Sequence, residues 1–210
     1  AETNQLTAKV WRDPVTYLPT RADYQYTAAN ARFENGSARA LELVGRMRVR
    51  EPESRVAVDD SWAWWGALAP IELNWDGEID GLELRGVPFD KIEFAANWSA
   101  PEFQLKHLRL EQQGGTLEAV GSVHVGNRQT EASATMNLDV RALEPLLTPK
   151  TVRWLSQYGW AQPPQAEASV RLILPEWTKA RPDWRNEVLP TLRLEGHVEA
   201  GPASFRGLQA

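Results

Sequence analysis

The segment Asp76–Gly81 has residue types and spacing that match part of a metal-binding motif. Its order, Asp-Gly-Glu-Ile-Asp-Gly, places carboxylates at positions 1, 3 and 5 and glycine at position 6, as in the opening of a calcium loop. Position 12, which should be a bidentate glutamate, is Val87, and the normally apolar position 8 is Glu83. Because the carboxylates alternate with apolar residues, the wet face of a β-strand explains them more simply. We therefore predict no calcium site.

The sequence also lacks a recognisable set of catalytic groups. It contains none of the motifs G-x-S-x-G, G-x-x-x-x-G-K-[ST], H-E-x-x-H and G-x-G-x-x-G. Its histidines are His107, His124 and His197. They lie in separate predicted strands and share no metal-ligand spacing. Asp59, Asp60 and Glu118 could form a glycosidase carboxylate pair only if the fold joined them, and nothing singles them out. We expect no catalysis, no metal and no cofactor.

The composition excludes several classes of function. The chain has 210 residues and a formal net charge of -5, so it lacks the basic field that a nucleic-acid surface requires. It has no cysteine, which excludes disulfides and thiol chemistry. No apolar run approaches the ~20 residues that cross a bilayer, and the first residues lack the pattern of a signal peptide. We expect any export signal or membrane anchor to lie outside this sequence.

An apolar residue or glycine at every second position is the most frequent pattern in the chain. It runs over residues 41–49, 71–79, 92–98, 117–125, 132–140, 168–174 and 192–200. Successive β side chains point to opposite faces, so each stretch predicts a strand with one apolar and one polar face. The sequence therefore predicts an antiparallel sheet, and whatever covers its apolar face decides the function.

Turn signals divide this sheet into hairpins. Pro14 and Pro19 break the chain between the first two strands, which we place at 5–12 and 22–35. Asn35-Gly36 predicts a two-residue hairpin into the third strand. A later hairpin turns at residues 112–115, and the step of three from Leu105 to Leu108 predicts a bulge in the strand before it.

Helical spacing replaces the strand pattern in three places. Asp60 or Ser61 can cap a first short helix. Asp139 can cap a leucine-rich turn, and Thr148-Pro149 opens a further helix that Gly159 would end. These segments predict one or two short helices inserted between strands.

The whole chain, residues 1–210, is expected to form a single β-rich segment with a weaker boundary near residue 60. Residues 201–208 resemble residues 81–89, because in both an apolar residue, an arginine and a glycine close a strand. The sequence therefore looks like a fragment that stops at the start of a further repeat.

Ten tryptophans are an unusually large number for this length. Trp75 and Trp98 occupy apolar positions of the alternating pattern and are expected in the core. The indoles within residues 62–65 and Trp184 could instead line a ligand site or a membrane-facing edge, since indole combines apolar area with a polar N–H.

Three arginines, Arg46, Arg48 and Arg50, share the polar face of one predicted strand. Such a row could contact phosphate head groups. A solvated face or protection of a sheet edge is the commoner reason for it, and we adopt that interpretation.

Two segments carry a resemblance to a known family. Residues 108–122, LRLEQQGGTLEAVGS, and the aspartate-led turn DVRALEPLL at 139–147 resemble repeats of AsmA-like proteins of bacterial envelopes, a group that includes TamB-like and YhdP-like proteins. The Trp- and Pro-rich stretch 174–190 resembles the same proteins, and the likeness covers residues 60–210. The resemblance implies a periplasmic protein, anchored in the inner membrane by a segment outside this chain, whose long β-groove carries phospholipid during outer-membrane biogenesis.

On this basis we expect a mainly β fold, an antiparallel sheet of about a dozen strands curled into an open groove or half-barrel, with one or two short helices. Its partners would be phospholipid and neighbouring repeats of the same protein, with no nucleic acid. The candidate groove residues are Leu73, Trp75, Ile79, Phe94, Trp98, Leu117, Val123, Met136, Leu138, Val170 and Leu172.

Two alternatives remain open at this point. The same alternation would suit a closed β-sandwich that serves as a spacer or interaction domain without a ligand. A carbohydrate-binding module would instead use exposed tryptophans as stacking platforms for sugar rings. An uncovered apolar face would favour the groove, and a sealed core would favour the spacer.

Overall fold

A computed structural model describes residues 3–50, 68–176, 182–206 and 208–209. The β-strands are β1 (Thr3–Arg12), β2 (Pro19–Phe33), β3 (Gly36–Val49), β4 (Ile71–Leu84), β5 (Val87–Ser99), β6 (Glu102–Gln112), β7 (Gly115–His124), β8 (Gln129–Met136), β9 (Tyr158–Trp160), β10 (Gln165–Ile173), β11 (Arg193–Glu199), β12 (Ala203–Phe205) and β13 (Leu208–Gln209). Helix α1 spans Pro149–Leu155, and short helical segments of other pitch occur at Val140–Leu146, Trp184–Val188 and Leu189–Thr191.

Ten of these strands form one antiparallel sheet in the order β1-β2-β3-β4-β5-β6-β7-β8-β10-β11. Among the described strands, β1 and β11 each pair on one side only, so the sheet is open and does not close into a barrel. A separate sheet of three short strands has the order β13-β12-β9. The prediction of a mainly β, open antiparallel sheet with short helical insertions is confirmed.

The alternation continues across the strands as well as along them. The register aligns Leu43, Gly77, Phe94 and Leu108 in one cross-strand row. The adjacent row, one residue along each strand, is Glu42, Glu78, Glu93 and Arg109. Paired residues in a sheet point to the same face, so the sheet has an apolar face and a polar face over its whole width.

Two irregularities interrupt this register without exchanging the faces. The predicted bulge lies between Leu105 and Leu108, where the pairing with both neighbouring strands shifts. A second irregularity, which the sequence analysis did not anticipate, crosses four strands. Its members are Asn30, Arg39, Gly81 and Asp90, which the strand pairing skips. Asn30 and Gly81 have φ of 54° and 58°, in the left-handed region.

This second irregularity keeps apolar side chains on one face. Beyond it the apolar residues of β4 and β5 recur after a step of three, from Ile79 to Leu82 and from Ile92 to Phe89. Phe89 is 6% exposed and Val87 is 1% exposed. Because all four strands carry the extra residue at the same level, their hydrogen-bonded pairing resumes on the far side.

The hairpin turns agree with the sequence except at one position. Phe33 pairs with Gly36, so the β2–β3 turn consists of Glu34 and Asn35 rather than the predicted Asn35-Gly36. Gly36 is already a strand residue because it also pairs with Leu84 of β4. The 112–115 turn is confirmed, with φ of 48° and 82° at its two central residues.

The helix starts were predicted correctly and one helix end was wrong. The Asp139 side chain accepts a hydrogen bond from the Arg141 amide at 3.1 Å, and Thr148 caps α1. Helix α1 ends at Leu155, whereas Gly159, the predicted stop, lies in β9 and pairs with Ser204. Pairing with β12 takes the chain away from the helix before that glycine is reached. The predicted helix after Asp60 or Ser61 lies outside the described residues.

Tight packing is confined to a few places on the apolar face. Trp98 and Val125 are the centre of one cluster, with Leu73, Trp75 and Phe103 packed against it. Val87 and Leu138 are the largest fully buried side chains of the described residues. Leu138 immediately precedes the helical turn 140–146, which contacts β5. The described residues therefore contain local clusters instead of one continuous core.

Gly36 provides a test of this strand packing. A Cβ atom at Gly36 would overlap the carbonyl oxygen of Glu83 in β4, which cannot move without disturbing the β3–β4 pairing. We expect Gly36→Ala to lower the free energy of unfolding by about 1–3 kcal/mol, as for other overpacked sites. Urea denaturation measures this change. Gly201→Ala is the matched control, because a Cβ there meets nothing within 4 Å, and equal stability of the two variants would contradict the close approach.

Candidate functional site

The apolar face is the surface that the sequence analysis selected. Its side chains form rows that cross β7, β8, β10 and β11 in register. One central row consists of Ala119, Ala134, Ala168 and Gly196. The next consists of Gly121, Ala132, Val170 and Leu194. Larger residues lie further along the same strands, including Leu117 opposite Met136. The side chains in the middle of this half of the face are thus smaller than those toward the strand ends, and they leave a shallow depression in the surface.

Aromatic rings cover glycine backbone in the other half of the face. The Phe94 ring lies over Gly77 of the adjacent strand, where a Cβ would collide with it. The Tyr24 ring lies in the same way over Gly45. Glycine leaves room for a ring to lie against the sheet, and the ring in turn covers the exposed backbone. Both pairs present broad aromatic surface on the apolar face.

The eleven candidate residues divide into two groups. Trp98 and Leu138 are 6% and 1% exposed, so they act in packing and offer little surface to a ligand. The Trp98 indole N–H donates a hydrogen bond of 2.9 Å to the carbonyl oxygen of Leu68. The remaining nine are half-buried on the apolar face. They are Leu73, Trp75, Ile79, Phe94, Leu117, Val123, Met136, Val170 and Leu172.

Apolar residues at both sheet edges extend this surface beyond the candidate set. Leu6 on β1 is 68% exposed, and Leu194 on β11 is 65% exposed. Val10 and Val198 lie on the same strands and are also exposed. Their alternation with polar neighbours was the available sequence signal, but it could not show that these two strands are edges. The apolar face therefore reaches both unpaired edges of the sheet.

Valine allows the two faces to be compared at constant side-chain size. Val44 and Val120, on the polar face of interior strands, are 43% and 46% exposed. Val123 and Val170, on the apolar face of interior strands, are only half-buried but less exposed than either. Apolar neighbours therefore shield one another partly, and none of these positions reaches the burial of a closed core.

The polar face is organised by ion pairs between neighbouring strands. The Lys91 ammonium lies 2.7 Å from Glu93 and 3.1 Å from Glu78, and its hydrogen bond to Glu93 is the main reason that the pKa of Lys91 is raised. The same contact lowers the pKa of Glu93. Arg171 contacts Glu131 at 2.6 Å. These groups are exposed, so each pair adds little to stability, but together they keep this face hydrated.

A broad hollow lies on the polar side of the sheet. It has a volume of about 520 Å³ and is open to solvent, and charged side chains of β6, β8, β10 and β11 surround it, among them Lys106, Glu131 and Arg171. Because Glu131 and Arg171 satisfy each other, the hollow has no uncompensated charge at that point. Its charged lining residues as a whole, Glu102, Lys106, Glu131, Arg171, Arg193 and Glu195, include equal numbers of positive and negative groups.

Candidate catalytic and metal-binding groups remain apart. Asp76–Gly81 lies within β4, as the alternation indicated. The three histidines lie in β6, β7 and β11. Within the described ranges, no three His, Asp or Glu side chains come close enough to hold a metal ion. Asp59 and Asp60 fall outside those ranges.

Trp154 does not form a flat platform with the aromatic rings beside it. Trp154 and Trp184 are each 54% exposed. The Trp154 ring lies 5.0 Å from that of Tyr158, and Tyr158 lies 5.1 Å from Phe205, with interplanar angles of 56° and 43°. A sugar ring stacks on a plane, and these three rings share none. The indoles at residues 62–65 lie outside the described residues.

Comparison with protein-family models, with curated proteins and with solved structures finds no match. Among the described residues, no helix is long and apolar enough to cross a membrane.

Trp98 tests the division between packing residues and surface residues. We expect Trp98→Ala to lower the free energy of unfolding by about 3–5 kcal/mol, because it removes a buried indole and leaves the Leu68 carbonyl without its donor. Trp184→Ala removes an indole that is 54% exposed, so its cost should stay below about 1 kcal/mol. Chemical denaturation of both variants measures the difference, and similar costs would show that Trp98 is not a packing centre.

Proposed function

We propose that this chain is a non-catalytic segment of an envelope protein of the AsmA-like group, which holds phospholipid acyl chains against the apolar face of its sheet. One observation supports the proposal above all. The apolar face runs across ten strands to both edges and remains half-exposed at nine of the eleven candidate residues. Compact monomers seldom leave a contiguous apolar surface of this kind without a function.

An acyl chain matches the chemistry of this face. Each methylene taken fully from water contributes about 0.8 kcal/mol. A chain of about 14 methylenes lying on an open sheet is covered on one side, so it would gain roughly 5 kcal/mol. The low rows through Ala119, Ala134 and Ala168 give it room between larger side chains. The phosphate head group would stay in water, because burying its charge costs far more than the chain gains.

The competing spacer function requires a second layer over the apolar face. The described residues contain only the small sheet β13-β12-β9 besides the large one, and its strands have two to three residues each. That sheet is too small to match a face of ten strands. This comparison favours an external cover over a sealed sandwich, and the spacer function remains the outcome expected if no lipid binds.

The envelope setting is part of the same proposal. In it, the segment lies in the periplasm, a part of the protein outside this chain anchors it in the inner membrane, and neighbouring repeats pair with the open edges. Strands β1 and β11 support this arrangement, because unpaired edge strands present free backbone donors and acceptors to a further strand.

Acyl-chain binding can be tested by placing a negative charge on the apolar face in one variant and on the polar face in another. Ala134→Glu puts a carboxylate in the central row of the apolar face, whereas Ser133→Glu puts the same charge on the polar face of the same strand. We expect Ala134→Glu to weaken binding of a dansyl-labelled fatty acid at least tenfold, about 1.4 kcal/mol, because the acyl chain would desolvate the carboxylate. Ser133→Glu should leave binding within about twofold, since its carboxylate stays in water.

A second pair guards against a folding defect. Val170→Glu and Ser169→Glu repeat the comparison on β10, and circular dichroism checks that all four variants keep the strand content. Native mass spectrometry of the protein purified without detergent should also show bound phospholipid. A spectrum free of lipid, together with no fatty-acid uptake by the unaltered protein, would contradict the proposal.

A further inference from the structure

The turn between β1 and β2 carries the most exposed apolar side chains of the described residues. Val15 is 82% exposed and Tyr17 is 72% exposed, and Leu18 beside them is 66% exposed. We call these three residues the apolar tip. They lie at the end of the sheet and belong to neither of its faces, so the apolar face does not account for them.

The apolar tip is held in a defined shape. The Asp13 carboxylate accepts hydrogen bonds from the amides of Val15 and Thr16 at 2.8 and 2.7 Å, and these bonds lower its pKa. The Asp13 amide donates to the Leu18 carbonyl, and the Tyr17 amide donates to the Asp13 carbonyl, both at 2.9 Å. The polar groups of the turn thus bond to one another, and the three apolar side chains project outward.

Cationic side chains lie near the base of this turn, most of them on the polar face of the sheet. At this end of β1, β2 and β3 the cations, which we call the basic collar, are Lys9, Arg12, Arg21, Arg46, Arg48 and Arg50. The described carboxylates among them are Asp13, Asp23 and Glu72. Among the described residues, these six cations against three carboxylates leave an excess of three positive charges, although the chain as a whole has a net charge of -5.

An indole lies within the basic collar, at the level of Arg21. The Lys9 ammonium is 4.9 Å and the Arg21 guanidinium 4.4 Å from the centre of the Trp11 ring. Trp11 pairs with Arg21 in the register, and Arg21 pairs with Arg48. Tryptophan beside cations is typical of protein segments at the level of lipid head groups, where an apolar body and a polar N–H are both accommodated.

The spacing of these groups matches a membrane interface. A strand rises about 3.3 Å per residue, so Arg12 and Arg21 lie within about 10–15 Å of the apolar tip. An apolar segment at a bilayer surface enters about 5–10 Å into the boundary of head groups and acyl chains. Insertion of the apolar tip to that depth would bring the basic collar to the phosphates.

We infer that this end of the sheet docks on the surface of an anionic phospholipid bilayer, with the apolar tip inserted among the lipids and the basic collar on their phosphates. This inference goes beyond the proposed acyl-chain binding and does not depend on it. The occupant is a bilayer because an apolar end with cations beside it is complementary to anionic head groups over apolar chains.

Sedimentation with vesicles tests the docking. We expect the protein to bind phosphatidylglycerol vesicles at least tenfold more tightly than phosphatidylcholine vesicles, and the binding to weaken as salt is raised. The double substitution Val15→Asp and Leu18→Asp should weaken binding to phosphatidylglycerol at least tenfold. Arg12→Glu combined with Arg48→Glu should do the same.

Matched controls distinguish loss of docking at this site from the effects of a changed net charge or of less exposed apolar surface in general. Leu189→Asp removes an apolar side chain that is 56% exposed far along the chain from the turn. Arg153→Glu with Arg185→Glu changes the net charge as much as the collar variant does, at exposed positions outside the basic collar. Both controls should bind within about twofold of the unaltered protein.

Several outcomes would overturn the inference. They are absence of binding to phosphatidylglycerol, equal binding to phosphatidylcholine, and equal losses in the controls. Light scattering adds one more, because self-association that the Val15→Asp and Leu18→Asp variant abolishes would make a second copy the occupant of the apolar tip. Fatty-acid uptake without vesicles reports on the apolar face alone, so failure of the docking and failure of the proposed function are distinguishable.

Discussion

Cross-strand register is the constraint on which the rest of this structure depends. A strand that slipped by one residue would exchange its two faces, and such a slip of β4 would place Glu78 in the row of Phe94 and Leu108. The slip would cost free energy, because charged groups would lie among apolar ones and apolar groups would be exposed to water. Ion pairs that link neighbouring strands, such as Arg171 with Glu131, favour the same register from the polar side. Both faces therefore exist only because all ten strands keep one alignment.

The irregular positions show how strictly this alignment is kept. An extra residue in a single strand shifts its pairing with both neighbouring strands, as at 105–108, yet Asn30, Arg39, Gly81 and Asp90 occur at the same level of four adjacent strands. The faces are preserved because the displacement is shared. Gly81 tolerates the positive φ at no steric cost, and Asn30 is among the few other residue types that adopt it readily. The bulge at 105–108 is local because the offset falls within one strand, where Lys106 and His107 are both exposed.

Alternation alone was sufficient to predict most strands, the identity of the apolar face and the bulge, because each depends on residues close in sequence. The caps at Asp139 and Thr148 were predictable for the same reason. The end of α1 was not predictable from nearby residues, since Gly159 belongs to a strand that pairs with Ser204, 45 residues further along the chain. The alternation also could not show that Trp98 is buried whereas Trp75 is only half-buried. Both occupy apolar positions, and Trp98 is buried by contacts with residues distant in sequence, among them the Leu68 carbonyl and Val125.

A sheet that is open at both edges distributes its stability unevenly. Each strand contacts mainly its two neighbours, so interior strands are held from both sides, whereas β1 and β11 are held from one. The tight clusters lie on interior strands, at Trp98 of β5 and Val87 at the start of the same strand. All residues of β11 are exposed, as are most of β1. Opening should therefore begin at the edges, where free backbone groups and exposed Leu6 and Leu194 coincide. A further strand or a lipid that covered either edge would extend to it the two-sided support that the middle of the sheet already has.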